Sequence, residues 1–163
     1  MPDKQAEQSA AGMAQIETTI EIAANSGTVW TAITDLDGVA NWNPNVAAAS
    51  CSSDSAGLGA TRTCHLVQGG HIDEVVSEWD DGHRLQFAIG NHGGIRSADM
   101  GLEITPTATG TRVTATADYH LAFGPLGPVI DRIAVKRQMT RMLHTGLAGL
   151  KEHVETNNQK GMS

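Results

Sequence analysis

Several features are missing from this sequence, and each absence removes a class of protein. Positive charge is in deficit: 11 Lys and Arg face 18 Asp and Glu, for a net charge of −7 with no basic block, so no nucleic-acid-binding face is expected. Cysteine is nearly absent. Cys51 and Cys64 form no C-x-x-C pair and no disulfide framework, which leaves two buried or half-buried free thiols as the reading. No apolar run approaches the roughly 20 residues that cross a bilayer, so no membrane insertion is expected. Residues Met1 to Ser9 lack the charged-then-apolar layout of a signal peptide, and a cytoplasmic protein is the expectation.

The motifs of several chemistries are missing too. Seven histidines are present, but never as H-x-x-x-H or H-E-x-x-H, so no metal site is expected. Gly90-Asn-His-Gly-Gly-Ile and Gly57-Leu-Gly59 lack the strand, glycine turn and helix order that cradles a dinucleotide, and no cofactor is expected. There is no G-x-S-x-G elbow, and neither cysteine has a recognisable histidine partner, which argues against a covalent hydrolase.

What is present is organised around the last long run, from Pro128 to Thr156. Met139, Leu143, Leu147, Leu150 and Val154 step by threes and fours, one stripe of a helix. Pro128 suits its first turn, where the missing N–H has no partner to lose. Such a helix is roughly 40 Å long, enough to cross a small domain.

Before it, the sequence alternates with strand periodicity. Strand one is expected over Gln15–Ala23, with Ile16, Thr18, Ile20 and Ile22 on one face and Glu17, Thr19 and Glu21 on the other. Asn25 or Ser26 caps a short helix over Thr28–Thr34, and a second helical turn, Val39–Trp42, stops before Pro44. Six further strands follow, over Val46–Ser52, Ala60–Val67, His71–Trp79, Arg84–Gly90, Ser97–Thr105 and Thr111–Leu121. Their hairpin-like connections imply an antiparallel, twisted sheet whose apolar face the long helix covers. Residues 1–13 read as a disordered tail, 14–156 as one domain and 157–163 as a flexible tail.

The alternation also chooses inward faces. Leu85, Phe87 and Ile89 point in, as do Met100, Leu102 and Ile104, and Val113, Ala115, Ala117, Tyr119 and Leu121. If the turn after the third strand centres on Gly69, then Arg62, Cys64 and Leu66 share the inward face with Ile72, Glu74 and Val76. Arg62 and Glu74 then form an opposite-charge pair among apolar neighbours. Such a pair either satisfies itself near the sheet rim or is the polar anchor of an apolar cavity, and a buried one needs excellent matching.

These residues carry a resemblance. Val29-Trp30, Asp35, Trp42-Asn-Pro44, Gly59-Ala-Thr-Arg62 and Glu74-Val-Val, in this order and closed by the helix, resemble the SRPBCC superfamily, and within it the bacterial polyketide cyclase/dehydratase-type group. The resemblance implies an α+β helix-grip fold, a seven-stranded antiparallel sheet around the C-terminal helix with two short helices between strands one and two. It also implies a hydrophobic cavity that binds or transports lipids and other apolar molecules, and in some members a cyclisation or dehydration activity.

On that footing the expected wall is Trp42, Phe87, Met100, Tyr119, Met139 and Leu143, with Arg62 and Glu74 as polar anchors. If the protein is an enzyme, Glu74 or Tyr119 transfers protons and Arg62 polarises a carbonyl. Few aromatics, together with Ala115 and Ala117, bring the helix close and leave a modest cavity. Opening is expected from the Asn91–Gly94 loop, where His92 stands out, from the Trp42 turn and from the Gly124–Pro128 connector. A partner-binding module with a packed core is the third alternative, and the polar outer residues Thr61, Thr63, His65, Thr114, Thr116, Asp118 and His120 argue against it. The expected partner is an apolar small molecule; a homodimer stays open.

Overall fold

The computed structural model describes residues 13–52, 56–92, 94–122 and 129–161. Residues 1–12 of the expected tail, the Gly124–Pro128 connector, and Met162 and Ser163 lie outside the described residues. Seven strands form a single antiparallel sheet: β1 (Met13–Ile22), β2 (Val46–Cys51), β3 (Thr61–Leu66), β4 (His71–Asp80), β5 (Arg84–Ile89), β6 (Ile95–Thr107) and β7 (Gly110–Leu121), in the spatial order β1-β7-β6-β5-β4-β3-β2. Helix α1 (Ser26–Thr34) and a 3-10 turn (Asp37–Asn41) join β1 to β2, and helix α2 (Val129–Lys160) closes the chain. This is the antiparallel sheet under a terminal helix that the alternation predicts, and the helix-grip α+β fold that the family resemblance implies.

Local chemistry sets the elements. Asn25 caps α1, its side chain accepting from the Thr28 N–H at 2.9 Å. Pro44 follows the 3-10 turn and keeps it from continuing. Three irregularities, at Val46/Ala48, Val76/Glu78 and Ile95/Ser97, break the ladder and bend the sheet. The one in β4 shifts the alternation and sets Trp79 opposite Leu85, where its ring meets Trp30 edge-on at 5.5 Å.

The stripe of α2 is realised as read: Leu143, Leu147, Leu150 and Val154 are all buried, and Met139 packs at the margin of the core. They face Ile16, Ile22, Leu85, Ile104, Val113, Ala115 and Ala117 from the sheet, and Val29 and Ile33 from α1. The helix lies closest to β1. There, the Ala23 N–H donates to Glu155 Oε1 at 2.8 Å, and Lys151 Nζ donates to that oxygen and to the Glu21 carbonyl. The backbone N–H, reinforced by Lys151, holds the Glu155 carboxyl below the usual range. The helix runs to Lys160 rather than stopping at Thr156, so residues 157–160, expected as tail, are helical. Likewise β1 begins at Met13, the last residue of the expected N-terminal tail.

Two close contacts fix the turn before β2 against α2. A Cβ on Gly149 would lie 2.1 Å from the Trp42 carbonyl oxygen and 2.6 Å from Pro44 Cδ, so only glycine admits this approach. Two turns earlier, Asn45 Nδ2 donates to the Met142 carbonyl at 2.9 Å.

Candidate functional site

Because α2 hugs the β1 end of the sheet, the space it leaves lies over the opposite half. A cavity of about 400 Å³ opens there, walled by β3 to β6, the turn before β2 and residues 135–147 of α2. That volume falls within the roughly 300–1,000 Å³ of small-molecule sites. Its wall is mainly apolar, built from residues such as Ile33, Val39, Leu66, Ile72, Phe87 and Ile89.

One ion pair interrupts this wall. Arg62 and Glu74 are directly opposite in the β3–β4 ladder, as the turn at Gly69 requires. Arg62 Nε donates to Glu74 Oε2 at 2.7 Å and Nη2 lies 2.6 Å from the same oxygen; both residues are 6% exposed. Nη1 reaches the Leu36 carbonyl at 3.3 Å, and the guanidinium carbon stands 4.2 Å over the Phe87 ring. Cys64 Sγ, buried next to the pair, donates to Oε2 at 3.4 Å. The pair is buried and both of its residues lie in the cavity lining.

Burial holds both thiols in the protonated form. Burial, followed by the Glu74 charge, pushes Cys64 up to about 12; burial and the Asp37 side chain push Cys51 up to about 11. A thiol must ionise to attack, and neither is poised to do so near neutrality.

Seven of the eight residues expected at the site line the cavity together: Trp42, Arg62, Glu74, Phe87, Met100, Met139 and Leu143. Tyr119 does not. It is 1% exposed in β7, paired with Ala14 of β1 and Ala98 of β6, small residues that leave room for its ring inside the core. Burial raises its phenol above the ordinary value. No β7 residue is among the described lining residues, because the helix covers that strand directly.

Polar residues that the sequence did not single out complete the lining: Asn43, Asn45, Gln68 and Gln138. Gln138 Nε2 of α2 donates to Gln68 Oε1 of the β3–β4 turn at 3.4 Å, bridging helix and sheet at the cavity's edge. His92 lines the same edge, as does Gly90. Among the described residues, no cluster of His, Cys, Asp and Glu has the arrangement to hold a metal ion. No described helix is long and apolar enough to cross a membrane.

An antiparallel sheet closed on a terminal helix with a lined cavity between them defines a helix-grip, ligand-binding domain. Residues 13–155 match the family described as polyketide cyclase / dehydrase and lipid transport, and the chain belongs to that SRPBCC-type family. No curated protein matches it in sequence comparison. Among solved structures it is similar to the di-domain ARO/CYC StfQ from the steffimycin biosynthetic pathway, with a TM-score of 0.78 and 15% identity over 96% of this chain and 55% of that one. The chain thus spans about half the length of that di-domain protein. It is also similar to a protein of Thermus thermophilus (TM-score 0.73, 23% identity, 88% of this chain and 99% of that one). A third likeness is to a point mutant of norcoclaurine synthase from Thalictrum flavum in complex with a transition-state analogue (TM-score 0.69, 16% identity, 90% and 96%). At these identities the likenesses show the fold.

Proposed function

We propose that the protein binds, and in doing so carries, a small hydrophobic molecule in the cavity between sheet and α2. The observation that carries this reading is a cavity of about 400 Å³ with a mainly apolar wall and one buried, matched ion pair. The hydrophobic effect supplies affinity at roughly 25 cal/mol per Å² of apolar surface covered, while the pair supplies orientation. Filling the space with side chains would have been the more stable solution, since a buried ion pair is weak evidence for stability. Titration with the neutral apolar dye N-phenyl-naphthylamine tests this. Saturable one-to-one binding that Leu143→Trp abolishes, with the fold retained by circular dichroism, is the expected result. Dye binding unaffected by the bulky residue would place it elsewhere and refute the reading.

A second reading, a cyclase or dehydratase of polyketide-like substrates, is favoured by the family description and by Glu74, whose Oε1 no described residue engages. In this reading Glu74 exchanges a proton with the substrate and Arg62 polarises a carbonyl. Glu74→Gln that leaves turnover unchanged would remove that role. We assign Tyr119, outside the cavity lining, no role in this reading.

A further inference from the structure

The two oxygens of Glu74 are treated very differently. Oε2 receives Arg62 Nε, the Cys64 thiol and the close approach of Arg62 Nη2; Oε1 receives no hydrogen bond from any described residue. Among the described residues, the only buried side-chain N or O atoms without a partner are Trp42 Nε1 and Thr107 Oγ1. Oε1 therefore keeps contact with accessible space, and since Glu74 is 6% exposed and lines the cavity, that space is the cavity. The wall of an apolar chamber thus presents one strong acceptor that no described residue uses.

The charge around it is balanced. Arg62 and Glu74 are the only Lys, Arg, Asp or Glu residues among the described lining residues, so their charges cancel, and the guanidinium is already committed to Oε2, to the Leu36 carbonyl and to the face of Phe87. A ligand carboxylate entering here would lose its water, find no Lys or Arg among the described lining residues except the committed Arg62, and meet Oε1 as a like charge. A neutral hydroxyl would instead donate to Oε1 in a charge-assisted bond.

Resting on the binding function proposed above, we infer that this cavity selects uncharged ligands bearing a hydrogen-bond donor, phenols or alcohols, over the carboxylates of the same carbon skeleton. Glu74 is the residue that sets this specificity, and Arg62 is its positioning residue, holding the carboxylate with Oε1 turned to the ligand.

The test uses the full chain and three probes that share one ring system: naphthol, naphthalene and naphthoate, each competing with N-phenyl-naphthylamine at neutral pH. Naphthol should bind about tenfold or more tighter than naphthoate, and tighter than naphthalene, the size of effect a hydrogen bond to a charged group produces. In Glu74→Gln the acceptor charge is gone and Arg62 is unbalanced, so the order should invert towards naphthoate. If that variant does not fold, the wild-type ranking alone decides. Naphthoate binding as tightly as naphthol to the wild type would overturn the specificity while leaving the binding function standing. Failure of the dye and all three probes to bind would overturn both.

Discussion

At the scale of single residues, the Arg62–Glu74 pair is the costliest feature of the interior and the most informative. Removing one partner leaves a charge among apolar groups, with a penalty of about 3–5 kcal/mol, whereas replacing both by apolar residues is often neutral or better. Arg62→Leu should therefore lower Tm by about 10 °C or more in a domain of this size, and Arg62→Leu/Glu74→Leu should recover most of the loss while losing hydroxyl selectivity. Scanning calorimetry of the three proteins checks this; a double variant as unstable as the single would mean that the pair is held for stability rather than for a ligand.

The cysteines give a pH prediction whose sign is set by burial. In the unfolded chain a thiol titrates near 9.0, but in the folded protein Cys51 and Cys64 hold their protons to about 11 and about 12. Above pH 9.0 the folded state binds more protons than the unfolded one, so their contribution is complete below that pH and is lost as pH rises through the folded values. Denaturant melts should show stability falling from pH 9 to pH 11, with a shallower fall in Cys64→Ala. Parallel slopes would show that Cys64 is not desolvated as the fold implies.

At the scale of elements, the two glycines of α2 near the Trp42 turn make opposite predictions from one geometry. Alanine favours a helix over glycine by up to about 1 kcal/mol. At Gly146 the added Cβ would meet Asn43 at 3.5 Å, an ordinary contact, so Gly146→Ala should be neutral or slightly stabilising. At Gly149 the Cβ would lie 2.1 Å from the Trp42 carbonyl, and overpacking of about 1–3 kcal/mol outweighs the propensity gain. Thermal melts of the two variants should move in different directions. Equal shifts would show that the Trp42-Asn-Pro44 turn does not seat on α2 as described.

Elements were also where the sequence was most legible. Period-two alternation with a turn at Gly69 was enough to place Arg62 opposite Glu74, and the three-and-four spacing placed the α2 stripe. One strand start differs where the ladder is irregular: β6 starts at Ile95, two residues before the expected Ser97, because the break at Ile95/Ser97 interrupts the alternation. Tyr119 shows a deeper limit. Alternation tells which face a side chain takes, and Tyr119 does face inward, but not which half of that face the helix seals and which it leaves open. Gln68, Gln138, Asn43 and Asn45 carry no periodic signal; they become wall residues only when the β3–β4 turn and the Trp42 turn meet α2. Gly149 is equally silent, since its requirement comes from a carbonyl more than 100 positions away in the chain.

At the scale of the whole molecule, the asymmetry of the grip is the central feature. One end of α2 is clamped to β1 through Glu155 and Lys151 and packs on the small residues of β7; the other stands off β3 to β6 and leaves the cavity. A protein built only for stability would close that gap. The claim that the gap is kept for a hydrophobic guest is tested most directly by native mass spectrometry of the freshly purified chain, followed by solvent extraction. The expected result is a stoichiometric, extractable apolar passenger, neutral and hydroxyl-bearing, or an empty protein that takes up one equivalent of naphthol and loses it in Leu143→Trp. A protein that carries nothing and takes up no apolar probe would contradict it.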